Sequence, residues 1–243
     1  MSEFKIPTEI VELPSKGILY PKDSELAKGV VEMKYMTARE EDILTNQSYI
    51  KNGTVLDKLM KSLIVSPIKY DDLLIGDKNA IMIAARVLGY GKDYTFEYLG
   101  EEHTVDLSTL ENKLFNDSLV SSKGTFTFTL PTSGTKLEFK LLNEKDEEKI
   151  KQEIEGLKKI NKESSTDVTT RLKYQIISVD GNEDKIAIKD FVDNYLLASD
   201  SRALRTYIKV ITPDVDLIAK VMIDGVEEDI EVPITLNFFW PDL

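Results

Sequence analysis

The stretch Gly76–Gly91, GDKNAIMIAARVLGYG, narrows the possible folds most, because a helix through its middle is apolar on every face apart from one arginine. Ala80, Ile81, Met82, Ile83, Ala84, Ala85, Val87 and Leu88 leave Lys78, Asn79 and Arg86 polar, where a surface helix shows an apolar stripe and a polar back. A helix over 78–88 must therefore be packed from several sides. Asp77 is placed to cap its first free amides, and Gly89 and Gly91 to end it. The run is shorter than the roughly 20 apolar residues a bilayer requires, so it reads as a core helix rather than a membrane span. The simplest account of Arg86 buries its stem and sends its head to a carboxylate, a binding role being the alternative.

The rest of the chain must supply that packing, and 243 residues of which 42% are apolar suffice for a sizeable core. In IPTEIVELPSKGILYP, Pro7, Pro14, Gly17 and Pro21 forbid a helix and predict an extended segment. Val31, Met33 and Tyr35 alternate with Glu32 and Lys34 as in a half-buried strand. Thr37 and Glu40 have capping-box spacing for a short helix to about Thr45. Thr54 opens another, with Leu56, Leu59, Met60, Leu63 and Ile64 on one face until Pro67. Tyr94–Leu99 and His103–Leu107 read as a hairpin, with Ser108–Phe115 a short helix behind it. GTFTFTL at 124–130 and TKLEFKL at 135–141 alternate strictly around PTSG and predict a second hairpin.

From Asn143 the pattern turns to charged helix, with an apolar stripe of Ile150, Ile154, Leu157 and Ile160 and exposed ion pairs at Glu147–Lys151 and Glu155–Lys159. Leu172, Ile176 and Val179 extend a second helix to Asp180 and Gly181, and Asp190–Ala198 and Ser199–Ile211 give two more, for which a bundle is the natural packing. A third hairpin, Ile218–Ile223 with Ile230–Phe239, closes the chain on the aromatic run Phe238, Phe239, Trp240 before Pro241.

The chemistry available is limited. The chain has no cysteine and a single histidine, His103, which removes thiolate nucleophiles, thiolate metal sites and a hydrolase triad together. Among 43 acids any carboxylate pair is unspecific, and Gly89–Gly91 lacks the spacing and lysine of a phosphate loop. A formal charge of −12 opposes binding to nucleic acid or anionic lipid and favours protein partners. The opening residues carry no continuous apolar core of a signal peptide, from which intracellular synthesis is expected. Two covers are open for the C-terminal aromatics, the chain's own core or a partner protein. The partner reading is favoured, with Phe238, Phe239, Trp240 and Pro241 as the contact.

Several ordered motifs resemble the baseplate hub subunits and hub assembly proteins of T-even-type contractile-tailed bacteriophages. They are LPSKG at Leu13–Gly17 with Tyr20 and Pro21, VEMKYMTAREEDIL at 31–44, GTVLDKLMKSLI at 53–64, GDKNAIMIAARVLGYG and the terminal FFWP. The resemblance implies a small hub subunit or assembly factor, needed when the central hub is built before the outer wedges join, with no catalytic residues. Some family members carry cysteine pairs in the hairpin turns that here read YLGE (Tyr98–Glu101) and IDGV (Ile223–Val226), suited to a zinc knuckle; in this chain β pairing and apolar contact must serve instead. If the two hairpins pack as halves of one ribbon, the N- and C-terminal parts touch.

The expectation is an α+β chain with a mixed part over 1–142, a mostly helical section over 143–212, and a C-terminal hairpin over 213–243 returning to the first part. The expected function is non-enzymatic, a hub component or chaperone-like assembly factor contacting other hub or tail proteins, without cofactor, metal, nucleic acid or membrane. Its expected place is the host cytoplasm during assembly and, for a permanent subunit, the virion tail. The rival readings are a hydrolytic or metal-dependent tail enzyme, which requires converging acids in a pocket, and a nucleic-acid-binding module, which requires a basic face.

Overall fold

The structure, a computed structural model, describes residues 5–160, 166–223, 225–234 and 236–239. The chain is α+β, with its strands in small antiparallel sheets. β1 (Thr8–Glu12) pairs with β2 (Val30–Lys34), and the alternation in β2 sends Val31 and Met33 inward and Glu32 out. The Pro- and Gly-rich link between them crosses itself at Gly17 and Gly29. Both have positive φ, and a Cβ on Gly17 would sit 2.5 Å from the Ala27 carbonyl oxygen, so no side chain fits there. α1 (Ala38–Leu44) starts at the expected capping box of Thr37 and Glu40, and after α2 (Gln47–Lys51), which periodicity does not reveal, α3 (Val55–Leu63) buries Leu59, Met60 and Leu63.

α4 (Ile75–Tyr90) is enclosed as its composition demands, with Ile81 and Ala85 buried. It packs against α3, β1, the 3₁₀ turn Leu107–Thr109 and the C-terminal 3₁₀ turn Leu236–Phe239, so both halves of the chain contribute to its cover. The helix starts earlier than expected. Asp77 therefore lies inside the first turn and does not cap it, and its carboxylate is used elsewhere.

β3 (Asp93–Tyr98) and β4 (Glu101–Asp106) form the first expected hairpin, turning at Leu99 and Gly100. The helix expected over Ser108–Phe115 does not form. Asp106 caps a single 3₁₀ turn, and the chain then runs alongside the returning C-terminal segment: Lys113 N–H donates to Asp214 O, and Asp216 N–H to Glu111 O.

β5 (Phe126–Thr129) and β6 (Lys136–Phe139) form the second hairpin. α5 (Glu144–Ile160) buries Ile150, and the side chain of Ile160 lies outside the described residues. Glu147 pairs with Arg171 of the next helix rather than with Lys151. α6 (Asp167–Gln175) ends where a helix to Val179 is expected, because Ile176–Val179 forms β7 and takes the open edge of β6. That edge offers ladder hydrogen bonds, and IISV is rich in β-branched residues. The 143–212 section is thus mostly helical but not a bundle: its strand completes the sheet begun by β5 and β6. α7 (Lys185–Asp190) runs into a π turn at Phe191–Tyr195, and α8 (Ala198–Ile211) lays Tyr207 on Phe128 and Phe139 of the sheet.

β8 (Ile218–Ile223) and β9 (Val226–Glu231) close the chain. β9 stops at Glu231, well before Phe239, since Pro233 has no N–H for the ladder. The C-terminal part does return to the first: Asn79 Nδ2 donates to Asp214 Oδ1 at 3.0 Å and Tyr94 Oη to Pro233 O at 3.1 Å. β8 packs beside β4, but the two hairpins remain separate two-stranded sheets and make no single ribbon.

Candidate functional site, a surface for protein partners

Several polar residues of the ordered motifs are spent inside the fold. Ser15 donates through N–H and Oγ to Asp77 at 2.9 and 2.6 Å, Tyr20 Oη donates to Asp77 at 2.6 Å, and Leu74 N–H donates to Tyr20 Oη at 2.9 Å. The LPSKG segment is thereby pinned to the first turn of α4. Burial pushes the Asp77 carboxyl up, against the pull of these bonds, and burial beside Asp77 pushes the Tyr20 phenol up. A second pin gathers Lys34 Nζ, Thr37 N–H, Thr37 Oγ1 and Ser62 Oγ on Glu40, at 2.6–3.0 Å. Burial alone would raise Glu40, but these donors outweigh it and hold the carboxyl at about 2.

The buried Arg86 has its guanidinium on the carbonyls of Gly91 and Asp93, at 2.9 and 3.1 Å, and over the rings of Tyr90 and Tyr94. It thus fastens the C-terminal end of α4 to the start of β3 through backbone oxygens.

An acid-rich cleft of about 800 Å³ lies between α3 and α5. Lys78 bridges Asp57 and Glu144 at 2.7 and 2.8 Å, and Tyr70 Oη donates to Asp57 at 2.9 Å. Burial raises Glu144, and the two carboxylates hold Lys78 protonated against its own burial. Asp57, Lys78 and Glu144 each meet an opposite charge here, an arrangement that ties α3, α4 and α5 together. Among the described residues no group of three or more His, Asp or Glu is placed to hold a metal ion. His103 packs against the rings of Phe96 and Tyr98.

The C-terminal aromatics require a correction. Phe238 and Phe239 are both 0% exposed and edge-on to each other, and Phe238 is also edge-on to Tyr94, in a turn that packs against α4. This chain's own core is their cover, the C-terminal turn packing against α4. They are not a surface contact. Trp240 and Pro241, the other half of the expected contact, lie outside the described residues.

What remains open to a partner lies elsewhere. The hairpin tips and outer strands expose Leu99 (76%), Met222 (60%) and Val226 (61%), and Leu99 holds φ +53, a conformation uncommon for a branched side chain. α8 exposes Val210 at 72% beside a shallow apolar groove walled by Phe128, Ala203 and Tyr207. Neither surface is singled out by the sequence reading, although a count of acids and bases element by element would have marked both. No described helix is long and apolar enough to cross a membrane. No family model, curated protein or solved structure matches the chain.

Proposed function

We propose that the chain is a non-enzymatic baseplate hub component, or a factor required for hub assembly, of a T-even-type contractile-tailed bacteriophage, acting through protein contacts in the host cytoplasm. The observation that carries the reading is the use made of the resembling motifs. Ser15, Tyr20 and Asp77, from two of them, form one buried pin, and Lys34, Thr37, Glu40 and Ser62, from two more, form another. The polar atoms of these seven residues hold the fold together, and Asp57 and Lys78 of the same motifs, which line the cleft between α3 and α5, are joined there in an ion pair that ties α3 to α4, as fits motifs that preserve a scaffold. The acidic charge favours protein over nucleic acid as the partner. No cofactor is required by this reading, and it leaves the permanent subunit and the transient chaperone as two forms of one role.

Co-expression of the tagged chain with the hub proteins of the phage that encodes it, followed by affinity purification, tests the reading. At least one hub protein is expected to co-elute in a defined ratio. A chain that elutes alone, while those hub proteins assemble with each other without it, contradicts the proposal.

A further inference from the structure

The chain's charge is unevenly placed. The two hairpins with their turns, residues 93–106 and 218–231, hold ten acids and one lysine, so a net nine of the chain's twelve negative charges fall there. On the outer side of β8, Ile218 and Met222 are exposed, opposite Glu231 and Glu227 across the ladder. Lys220 lies between them on the same side and pairs with Glu227, and with Asp229 and Glu231 that side remains net acidic. Leu99 and Val226 are exposed at the two hairpin tips, Val226 on the other side of its ribbon from Met222.

α8 carries the converse. Arg202, Arg205 and Lys209 recur at helical spacing along one exposed stripe, next to the Val210 side of the apolar groove of about 520 Å³. The sole acid of α8, Asp200, is buried and accepts from the amides of Thr132 and Ser133, so it does not neutralise the stripe. Among the described residues none of the three bases is in an ion pair. The two faces are borne by different neighbours: α8 rides on Phe128 and Phe139 of the three-stranded sheet, and the hairpins sit by the C-terminal end of α4.

We propose that the chain associates with copies of itself head to tail, the acidic hairpin pair of one copy seating on the basic, apolar outer face of α8 of the next. Each surface sets exposed apolar side chains among net charge opposite to that of the other, acidic on the hairpins and basic on α8. The contact is heterologous, so every copy added leaves one hairpin face and one α8 face free, and assembly proceeds to a ring or an open row rather than stopping at a two-fold dimer. A hub partner is not needed for it, so it can fail without the hub reading failing.

Sedimentation velocity of the purified full chain, from roughly 1 to 100 µM and at low and about 0.5 M salt, tests it. Species larger than a dimer are expected to grow with concentration and to recede in high salt. Arg202→Glu with Arg205→Glu and Lys209→Glu should weaken association at least about tenfold, as should Glu97→Lys with Glu102→Lys and Glu231→Lys, and mixing the two variants should restore it. The milder set Arg202→Gln, Arg205→Gln and Lys209→Gln, checked for an unchanged melt, should weaken association in the same direction. A parent chain that stays monomeric throughout overturns the proposal. So does an association that survives reversal of the α8 bases, or variants that do not recombine.

Discussion

Glu40 is fully buried, and its four hydrogen-bond donors hold its carboxyl at about 2, well below the ordinary carboxylate value. A carboxyl depressed in the folded state contributes stability that is complete above its unfolded value and is lost as pH falls through the folded one. Urea melts between pH 5 and pH 2 should therefore lose about 3 kcal/mol from this residue, and Glu40→Gln should remove that part of the slope. Asp77 has the opposite sign. Its carboxyl is raised by burial, so its contribution is greatest below the ordinary carboxylate range and declines as pH rises toward the raised value. Arg86 makes a third test: Arg86→Leu keeps the packing but strips the Gly91 and Asp93 carbonyls of a donor, and should cost about 2–4 kcal/mol by chemical denaturation. An Arg86→Leu protein as stable as the parent would show that those two bonds contribute nothing.

At the scale of elements, the joint between the first turn of α4 and the returning chain has no tolerance. A Cβ on Gly76 would lie 1.9 Å from the Pro213 carbonyl oxygen, so Gly76→Ala must push backbone from backbone and should lower the melting temperature by well over 10 °C, or abolish folding. Truncation after Asn237 removes two fully buried rings, each worth about 3–5 kcal/mol as a change to alanine, and should likewise lower the melting temperature sharply when followed by circular dichroism. A truncated chain melting with the parent would return the aromatics to a partner. Elements whose signal is local were legible in the sequence: α4 from its lack of a polar face, α1 from Thr37 and Glu40, and all three hairpins from alternation and turn residues. The misreadings share a cause. Ile176–Val179, Asn112 and Phe238 are fixed by partners far along the chain, namely β6, Val215 and Tyr94, and no window of neighbouring residues contains those partners. Of the expected contact residues, apolar character was legible but not its direction. A chain end of large aromatics reads alike whether core or partner covers it.

For the whole molecule, α4 is the axis on which both ends of the chain close, with β1 and the LPSKG segment on it from one side and the C-terminal turn from another. On the outer surfaces the hairpins concentrate acid and α8 concentrates base. The most direct test of the role proposed for it is to disrupt this gene in the phage that encodes it and examine infected cells by electron microscopy and fractionation. The account predicts that outer wedges accumulate while central hubs and complete baseplates do not form, and that the intact chain supplied in trans restores them. Normal baseplates and infectious tails in its absence would contradict the account.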